Sequence, residues 1–279
     1  MIGNNQGDEV VLQRDIFIAK PFLPSANCDI MASGENQSKR GADMDKNVLK
    51  KLFEKHETPM CILLIVMYVV INSYCVQNFG VTDYRSAVIN TVFSAALIIL
   101  TVALKRVSHY GLAKAENPKK FLYFLPLVLI VSVNLWSGIN INNTPKEIIF
   151  HILTMLNVGF IEEIIFRGYL FKMMEKDNVK AATAVSSITF GIGHAVNLFN
   201  GSELIPTLLQ ICYATAVGYL FVIIFRKSKS IVPCIIAHSV NNALSIFNAD
   251  NTVSLYIAPV FLIVFPLLYS AYINKTEKE

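Results

Sequence analysis

Charged residues are scarce in this sequence of 279 residues, where Asp, Glu, Lys and Arg together make up 16%. Soluble globular proteins usually carry about 25% charged residues. The deficit, combined with 54% hydrophobic residues in long runs, is typical of a protein that crosses a membrane several times. The net charge is only +4 and no dense basic patch occurs, which argues against nucleic acid as a partner.

Paired cysteines are also missing. Cysteine occurs five times, without a CxxC pair, at Cys28, Cys61, Cys75, Cys212 and Cys234. This spacing indicates neither a disulfide framework nor a thiolate metal site. We expect no signal peptide, because the first long apolar run begins only near residue 60.

Residues 1–57 form the polar part of the chain. The stretch 34–41 has no apolar period, and such segments stay disordered because they bury too little apolar surface to offset chain entropy. We predict a disordered cytoplasmic segment over 1–57 and a membrane domain over 58–279.

The rest of the chain consists of apolar runs separated by short loops. A helix needs about 20 apolar residues to cross ~30 Å of hydrocarbon. The sequence therefore predicts an all-α bundle of about eight transmembrane spans, at about 58–78, 87–106, 120–138, 147–171, 181–199, 204–225, 230–248 and 253–273.

The loop charges predict the orientation of this bundle. Lys and Arg are concentrated before the first span, in every second loop after it and in the tail, whereas the other loops hold almost none. Since loops rich in Lys and Arg stay in the cytoplasm, both termini are predicted to be cytoplasmic.

Three ionisable residues interrupt the fourth predicted span: Glu162, Glu163 and Arg167. Glu163 and Arg167 are four apart with the acid first, which is the favourable order for a helical ion pair, so we interpret them as a structural pair. Glu162 is rotated by about 100° around the helix and has no equivalent partner on it. It is the freer carboxylate and the candidate general base.

Spans five and seven add His194, His238 and Asn242. His238 and Asn242 are four apart and project from one helix face. Gly191 and Gly193 would let span five approach a neighbour closely and bring His194 inward. Any one of these residues alone is more simply explained as hydrogen-bonded packing, so the prediction of a site rests on their combination.

The depth of these polar groups supports a shared site. At 1.5 Å per residue, Glu162 lies about 14 Å and His194 about 20 Å from the predicted cytoplasmic end of its span. His238 and Asn242 lie about 12 and 18 Å in by the same measure. These comparable depths predict a wet cavity that faces the cytoplasm.

The three polar motifs resemble those of the CPBP family, the intramembrane proteases that include CAAX prenyl endopeptidases and bacterial Abi proteins. The family pattern of EExxxR, FxxxH and HxxxN on successive helices is similar to Glu162-Glu163-x-x-x-Arg167, Phe190-x-x-x-His194 and His238-x-x-x-Asn242. The resemblance covers about residues 145–248, and eight spans also look like the family's architecture.

The resemblance implies peptide-bond hydrolysis inside the membrane. Carried onto this chain, it implies that Glu162 and His194 activate a water while His238 and Asn242 stabilise the oxyanion, with Glu163, Arg167 and Phe190 as structural support. A metal-free mechanism is favoured. A zinc mechanism stays open, since Glu162, His194 and His238 would supply three ligands and leave one position for water, although no HExxH motif occurs.

The substrate class follows from the same resemblance. Relatives cleave prenylated proteins or act in bacteriocin self-immunity or peptide maturation, so we expect a peptide or lipidated protein that enters from the bilayer of a bacterial cell membrane. Two alternatives remain: a non-catalytic immunity protein that binds a peptide, and a transporter whose buried Glu162 and histidines relay protons or ions.

Overall fold

The computed structural model describes residue 48, residues 50–115 and residues 124–276. Helices dominate this part of the chain, and within it the only β pairing is an isolated bridge between Ile139 and Asn248. The predicted all-α fold is confirmed for these residues.

The helices follow one another with short connections. In chain order they are α1 Glu57–Asn78, α2 Tyr84–Ala103, α3 Leu127–Ser132, α4 Pro145–Glu163, α5 Lys172–Glu175, α6 Val179–Gly193, α7 Val196–Phe199, α8 Leu204–Ser228, α9 Val232–Leu244 and α10 Ala258–Thr276. A π-helix over Ile164–Phe171 joins α4 to α5 without a break, and another over Val253–Ile257 leads into α10.

Six helices among the described residues are long and apolar enough to cross a membrane. They are Glu57–Asn78, Tyr84–Ala103, Pro145–Glu175, Val179–Phe199, Leu204–Ser228 and Val253–Thr276. Six of the eight predicted spans correspond to these helices, so the prediction of a polytopic helical membrane protein is confirmed.

The other two predicted spans correspond to shorter helices. The predicted span at 230–248 corresponds to the apolar helix Val232–Phe247, about 24 Å long, which is shorter than the ~30 Å of a hydrocarbon core. The predicted span at 120–138 contains α3, which has 6 residues, and begins outside the described part of the chain. The count of eight and the cytoplasmic location of both termini stay predictions.

Helical structure is present in the N-terminal segment before residue 57. Residues 50–55 are helical and Phe53 is 1% exposed, with its ring 5.8 Å from that of Tyr169. Phe53 therefore packs into the core of the described part of the chain, and the predicted division at residue 57 stays a prediction. Residues 1–47 lie outside the described residues, and their disorder stays a prediction.

Local capping fixes where the helices that carry the polar motifs begin. Thr144 and Glu147 form a capping box around Pro145 at the start of α4. The side chain of Asn178 accepts a hydrogen bond from Ala181 N at the start of α6. These caps set the register with which Glu162 and His194 reach the interior.

Glycines allow two close helix crossings beside the polar residues. A Cβ on Gly159 of α4 would lie 2.7 Å from Ser239 Cα of α9, and one on Gly191 of α6 would lie 2.7 Å from the Ile211 carbonyl oxygen of α8. The expected close approach at Gly191 is confirmed. The same expectation for Gly193 is wrong, because a Cβ there meets nothing within 4 Å and the residue faces open space.

Candidate active site

The predicted ion pair forms inside the bundle. Arg167 Nη1 donates to Glu163 Oε1 at 3.1 Å, and both residues are 0% exposed. The guanidinium also lies 4.2 Å from the ring centroid of Phe190, in a cation–π contact. The pairing of Glu163 with Arg167 and the supporting position of Phe190 agree with the interpretation from the sequence.

Glu162 has partners that its own helix does not supply. The Tyr68 hydroxyl on α1 donates to Glu162 Oε1 at 2.5 Å, and His238 Nε2 on α9 lies 3.2 Å from Glu162 Oε2. Three helices therefore converge on one carboxylate, which is 6% exposed. Tyr68 was not found from the sequence because a lone tyrosine in an apolar span carries no motif.

His238 joins the two carboxylates. Its Nδ1 lies 2.8 Å from Glu163 Oε1, while its Nε2 faces Glu162. The order of contacts is Tyr68, Glu162, His238, Glu163 and Arg167, which connects the predicted base to the predicted structural pair. The spacing on α4 does not reveal this link, because it depends on where α9 crosses α4.

His194 lies at the open end of this cluster. It caps the C-terminus of α6, and its ring packs 5.3 Å from that of Phe190. Its side chain makes no hydrogen bond with any residue that the structure describes, so its nitrogens stay available to a water or a substrate. The structure therefore brings His194 to the site without a direct hydrogen bond to Glu162.

Two neighbouring asparagines on α9 differ in what they contact. Asn241 Nδ2 donates to the Ile130 carbonyl at 2.8 Å and so ties α9 to α3. The Asn242 side chain makes no hydrogen bond within the described chain.

His151, which the sequence assigned no role, is buried and contacts the Asn242 carbonyl at 3.3 Å and Ser245 Oγ at 3.2 Å. It supports the end of α9 from α4.

All four predicted catalytic residues line one cavity of about 300 Å³. Besides them, its polar lining comes from tyrosines, amides and a serine, namely Tyr68, Asn72, Asn134, Asn197, Gln210, Tyr213, Asn241 and Ser245. Among the lining side chains that the structure describes, Glu162 is the only carboxylate, and none is Lys or Arg. The cavity therefore offers one acidic group, two imidazoles and many neutral hydrogen-bonding groups.

Residues 144–244 match the family model described as Type II CAAX prenyl endopeptidase Rce1-like. This segment contains the acidic pair and both histidine motifs in the arrangement described above. Over these residues the chain is similar to the CAAX protease family. The comparison with curated proteins and the comparison with solved structures return no match.

The matched segment runs from the N-cap of α4 to the end of α9 and includes Glu162, His194, His238 and Asn242. Tyr68 lies outside it, on α1. The hydrogen bond from Tyr68 to Glu162 therefore joins the matched segment to a helix that precedes it.

The side chains around Glu162 do not fit the zinc alternative as they are arranged. The described residues contain no group of three or more His, Cys, Asp or Glu side chains that could hold a metal ion. Both nitrogens of His238 face carboxylate oxygens, so neither directs a free lone pair toward a shared point with His194. The described side chains as arranged therefore hold no metal-binding geometry that a catalytic step could use.

Proposed function

We propose that this chain is an intramembrane endopeptidase that hydrolyses a peptide bond of a lipidated or membrane-associated peptide. The observation that carries the proposal is the meeting of a buried carboxylate, Glu162, with two polar side chains of the same cavity, His194 and Asn242, that have no hydrogen-bond partner among the described residues. A base beside unsatisfied polar groups suits a site that is completed by water and substrate.

Glu162 acts as the general base in this proposal. A carboxylate oxygen has two lone pairs, so Glu162 can accept a proton from water while Tyr68 and His238 hold its orientation. The hydroxide formed adds to the carbonyl carbon of the scissile bond. Glu162 then returns the proton to the leaving amine, which leaves a carboxylic acid and an amine as products.

Asn242 and the histidines stabilise the charge that develops on the carbonyl oxygen. The Asn242 amide N–H groups are free to donate to it, and His194 orients the attacking water. His238 can donate to the oxyanion only when its Nε2–H leaves Glu162 Oε2, a contact of 3.2 Å. Preorganised donors of this kind contribute about 10²- to 10³-fold to the rate.

The charge balance of the cluster supports a proton held near Glu162. Glu162 and Glu163 bring two carboxyl groups, whereas Arg167 brings one guanidinium. Because an unpaired buried charge is costly, a neutral cluster holds one further proton. The contact between Glu162 and His238 is where that proton can be shared, which suits a residue that must accept and return a proton.

The biological setting is proposed on the same basis. The amide-rich lining suits the backbone of an extended peptide, and the apolar outer surface of the helices suits a lipid anchor that stays in the bilayer. A bacterial cell membrane, and a role in bacteriocin self-immunity or peptide maturation, are consistent with such a substrate. Binding of a peptide without cleavage is the second candidate, since the two free groups would serve it equally.

The test is cleavage of internally quenched lipidated peptides by the detergent-purified protein, with and without a metal chelator. Glu162→Gln is nearly isosteric and should lower the rate by about 10²- to 10⁴-fold. Glu203→Gln is the matched control, because Glu203 is an exposed carboxylate at the N-cap of α8, and it should retain full activity.

Each result separates the candidates. Equal cleavage by Glu162→Gln and the parent would contradict the proposed role of Glu162. Saturable peptide binding without cleavage, in both proteins, would support the binding function instead. Loss of cleavage on adding chelator, restored by zinc, would overturn the metal-free mechanism.

A further inference from the structure

The cavity extends from Glu162 toward one end of the bundle. Asn72 lies about 9 Å from the C-terminal end of α1, and Gln210 lies about 9 Å from the N-terminal start of α8. Ser245 follows the end of α9, and Asn197 follows the end of α6. The lining residues on these antiparallel helices therefore gather near the same end.

Hydrogen bonds between elements confirm that these helix ends meet. Ser73 Oγ donates to Asn200 Oδ1 at 2.7 Å, and Gln77 Nε2 donates to the same oxygen at 2.9 Å. They join the C-terminal part of α1 to the loop after α7. We call this side of the bundle, with the 194–203 and 245–252 loops, the open end.

The opposite end is sealed by aromatic side chains. We define the aromatic plug as the buried residues Phe53, Tyr110, Tyr169, Phe171 and Phe225. Ring centroids lie 4.3 Å apart for Tyr110 and Tyr169, 5.8 Å apart for Phe53 and Tyr169, and 5.9 Å apart for Phe171 and Phe225. None of these five residues lines the cavity that contains Glu162, and the described lining includes Phe166 on this side.

Positive charge is gathered at the sealed end. Around it lie Lys50, Lys51, Lys55, Lys105, Arg106, Lys114, Lys172, Lys176, Lys180, Arg226, Lys227, Lys229 and Lys275. The open end carries Arg85 and Lys146 within the described residues. Because Lys and Arg flank the cytoplasmic ends of transmembrane helices, this asymmetry places the sealed end in the cytoplasm.

We propose that the active-site cavity opens to the side of the membrane opposite the cytoplasm, so that the substrate is a peptide presented from outside the cell. The inference rests on the proposed function only in naming a substrate. The access route itself rests on the cavity and the charges. The lining carries one carboxylate and no described Lys or Arg, so it suits a neutral or cationic peptide segment rather than a free C-terminal carboxylate.

This access route departs from the cytoplasm-facing cavity expected from residue depths. The estimate of about 20 Å for His194 already put it beyond the midplane of a ~30 Å core. In the structure His194 caps the C-terminal end of α6, about 22 Å from the start of that helix. Similar depths bring the groups to one level, but they do not determine which end of the bundle is open.

The experiment is cysteine labelling of the full-length protein with a membrane-impermeant maleimide, in intact and in permeabilised bacterial cells. Ser202→Cys reports the exposed loop at the open end, Lys180→Cys reports the sealed end, and Met155→Cys reports the cavity wall. The labelling of each variant is compared with that of the parent protein, which keeps its native cysteines. Asn197→Cys is a second cavity position in case Met155→Cys fails to insert.

We expect Ser202→Cys and Met155→Cys to be labelled in intact cells, and Lys180→Cys only after permeabilisation. Labelling of Lys180→Cys in intact cells would overturn the orientation. Labelling of Ser202→Cys in intact cells, with Met155→Cys and Asn197→Cys reacting only after permeabilisation or not at all, would overturn the access route. None of these readouts requires catalysis, so a failed cleavage assay leaves them interpretable.

Discussion

Neighbouring residues of α4 lie in opposite surroundings. Glu163 faces a dry region in which Arg167 and His238 are its partners, and its second oxygen has no hydrogen-bond partner in the described structure. Glu162 faces a polar cavity that also exposes His194 and Asn242. One step along a helix turns the side chain by about 100°, which is enough to give two identical carboxyl groups different roles.

The largest effect is expected on the dry side. Arg167→Leu leaves Glu163 buried without its guanidinium, and removing one partner of a buried ion pair costs about 3–5 kcal/mol. We expect a lower midpoint of thermal unfolding in detergent and loss of cleavage. Arg167→Lys keeps the charge and should recover part of both. An unfolding midpoint unchanged in Arg167→Leu would show that the dry side is not structural.

The two asparagines of α9 separate chemistry from packing. Asn242→Ala removes a free amide that faces the cavity, and we expect kcat to fall about 10²- to 10³-fold with the unfolding midpoint kept. Asn241→Ala removes the bond to Ile130 and should instead lower stability by about 1–3 kcal/mol. The same cleavage assay and thermal melts measure both. Equal loss of kcat in the two variants would remove the distinction.

The glycines of α6 test how the packing of α6 on α8 positions His194 beside the cavity. Gly191→Ala forces a Cβ against the backbone of α8 and should cost about 1–3 kcal/mol through overpacking, while displacing His194. Gly193→Ala meets open space and should leave the unfolding midpoint unchanged. A paired thermal melt is sufficient, and the reverse order of the two midpoints would contradict the packing of α6 on α8.

The smallest effect is expected at Tyr68. Tyr68→Phe removes the hydroxyl that orients Glu162 and should lower kcat about tenfold, which corresponds to the loss of about 1.4 kcal/mol from one hydrogen bond to a charged group. Because Tyr68 positions the base, the pH profile of kcat should also move, whereas that of Tyr74→Phe should not, since Tyr74 lies on the exposed face of α1. Unchanged kcat and pH profile would leave Tyr68 as packing alone.

Contacts within one helix were predictable, and contacts between helices were not. The Glu163–Arg167 pair follows from a spacing of four residues, and the structure contains it. The link from His238 to both carboxylates depends on the crossing of α9 over α4 at Gly159, where Ser239 lies against the glycine. No local spacing encodes that crossing, which is also why Tyr68 was missed.

The amino-acid sequence by itself determined that this is a helical membrane protein with an acidic pair and two histidine motifs, and its basic loops predict an orientation. Hydrophobic length and the 3.6-residue period are local properties, so they can be read along the chain. Only the tertiary structure decided which carboxyl group meets Tyr68 and which end of the bundle is sealed. Those outcomes depend on side chains from distant helices filling the same space, as the rings of Phe53 and Tyr169 do at the sealed end.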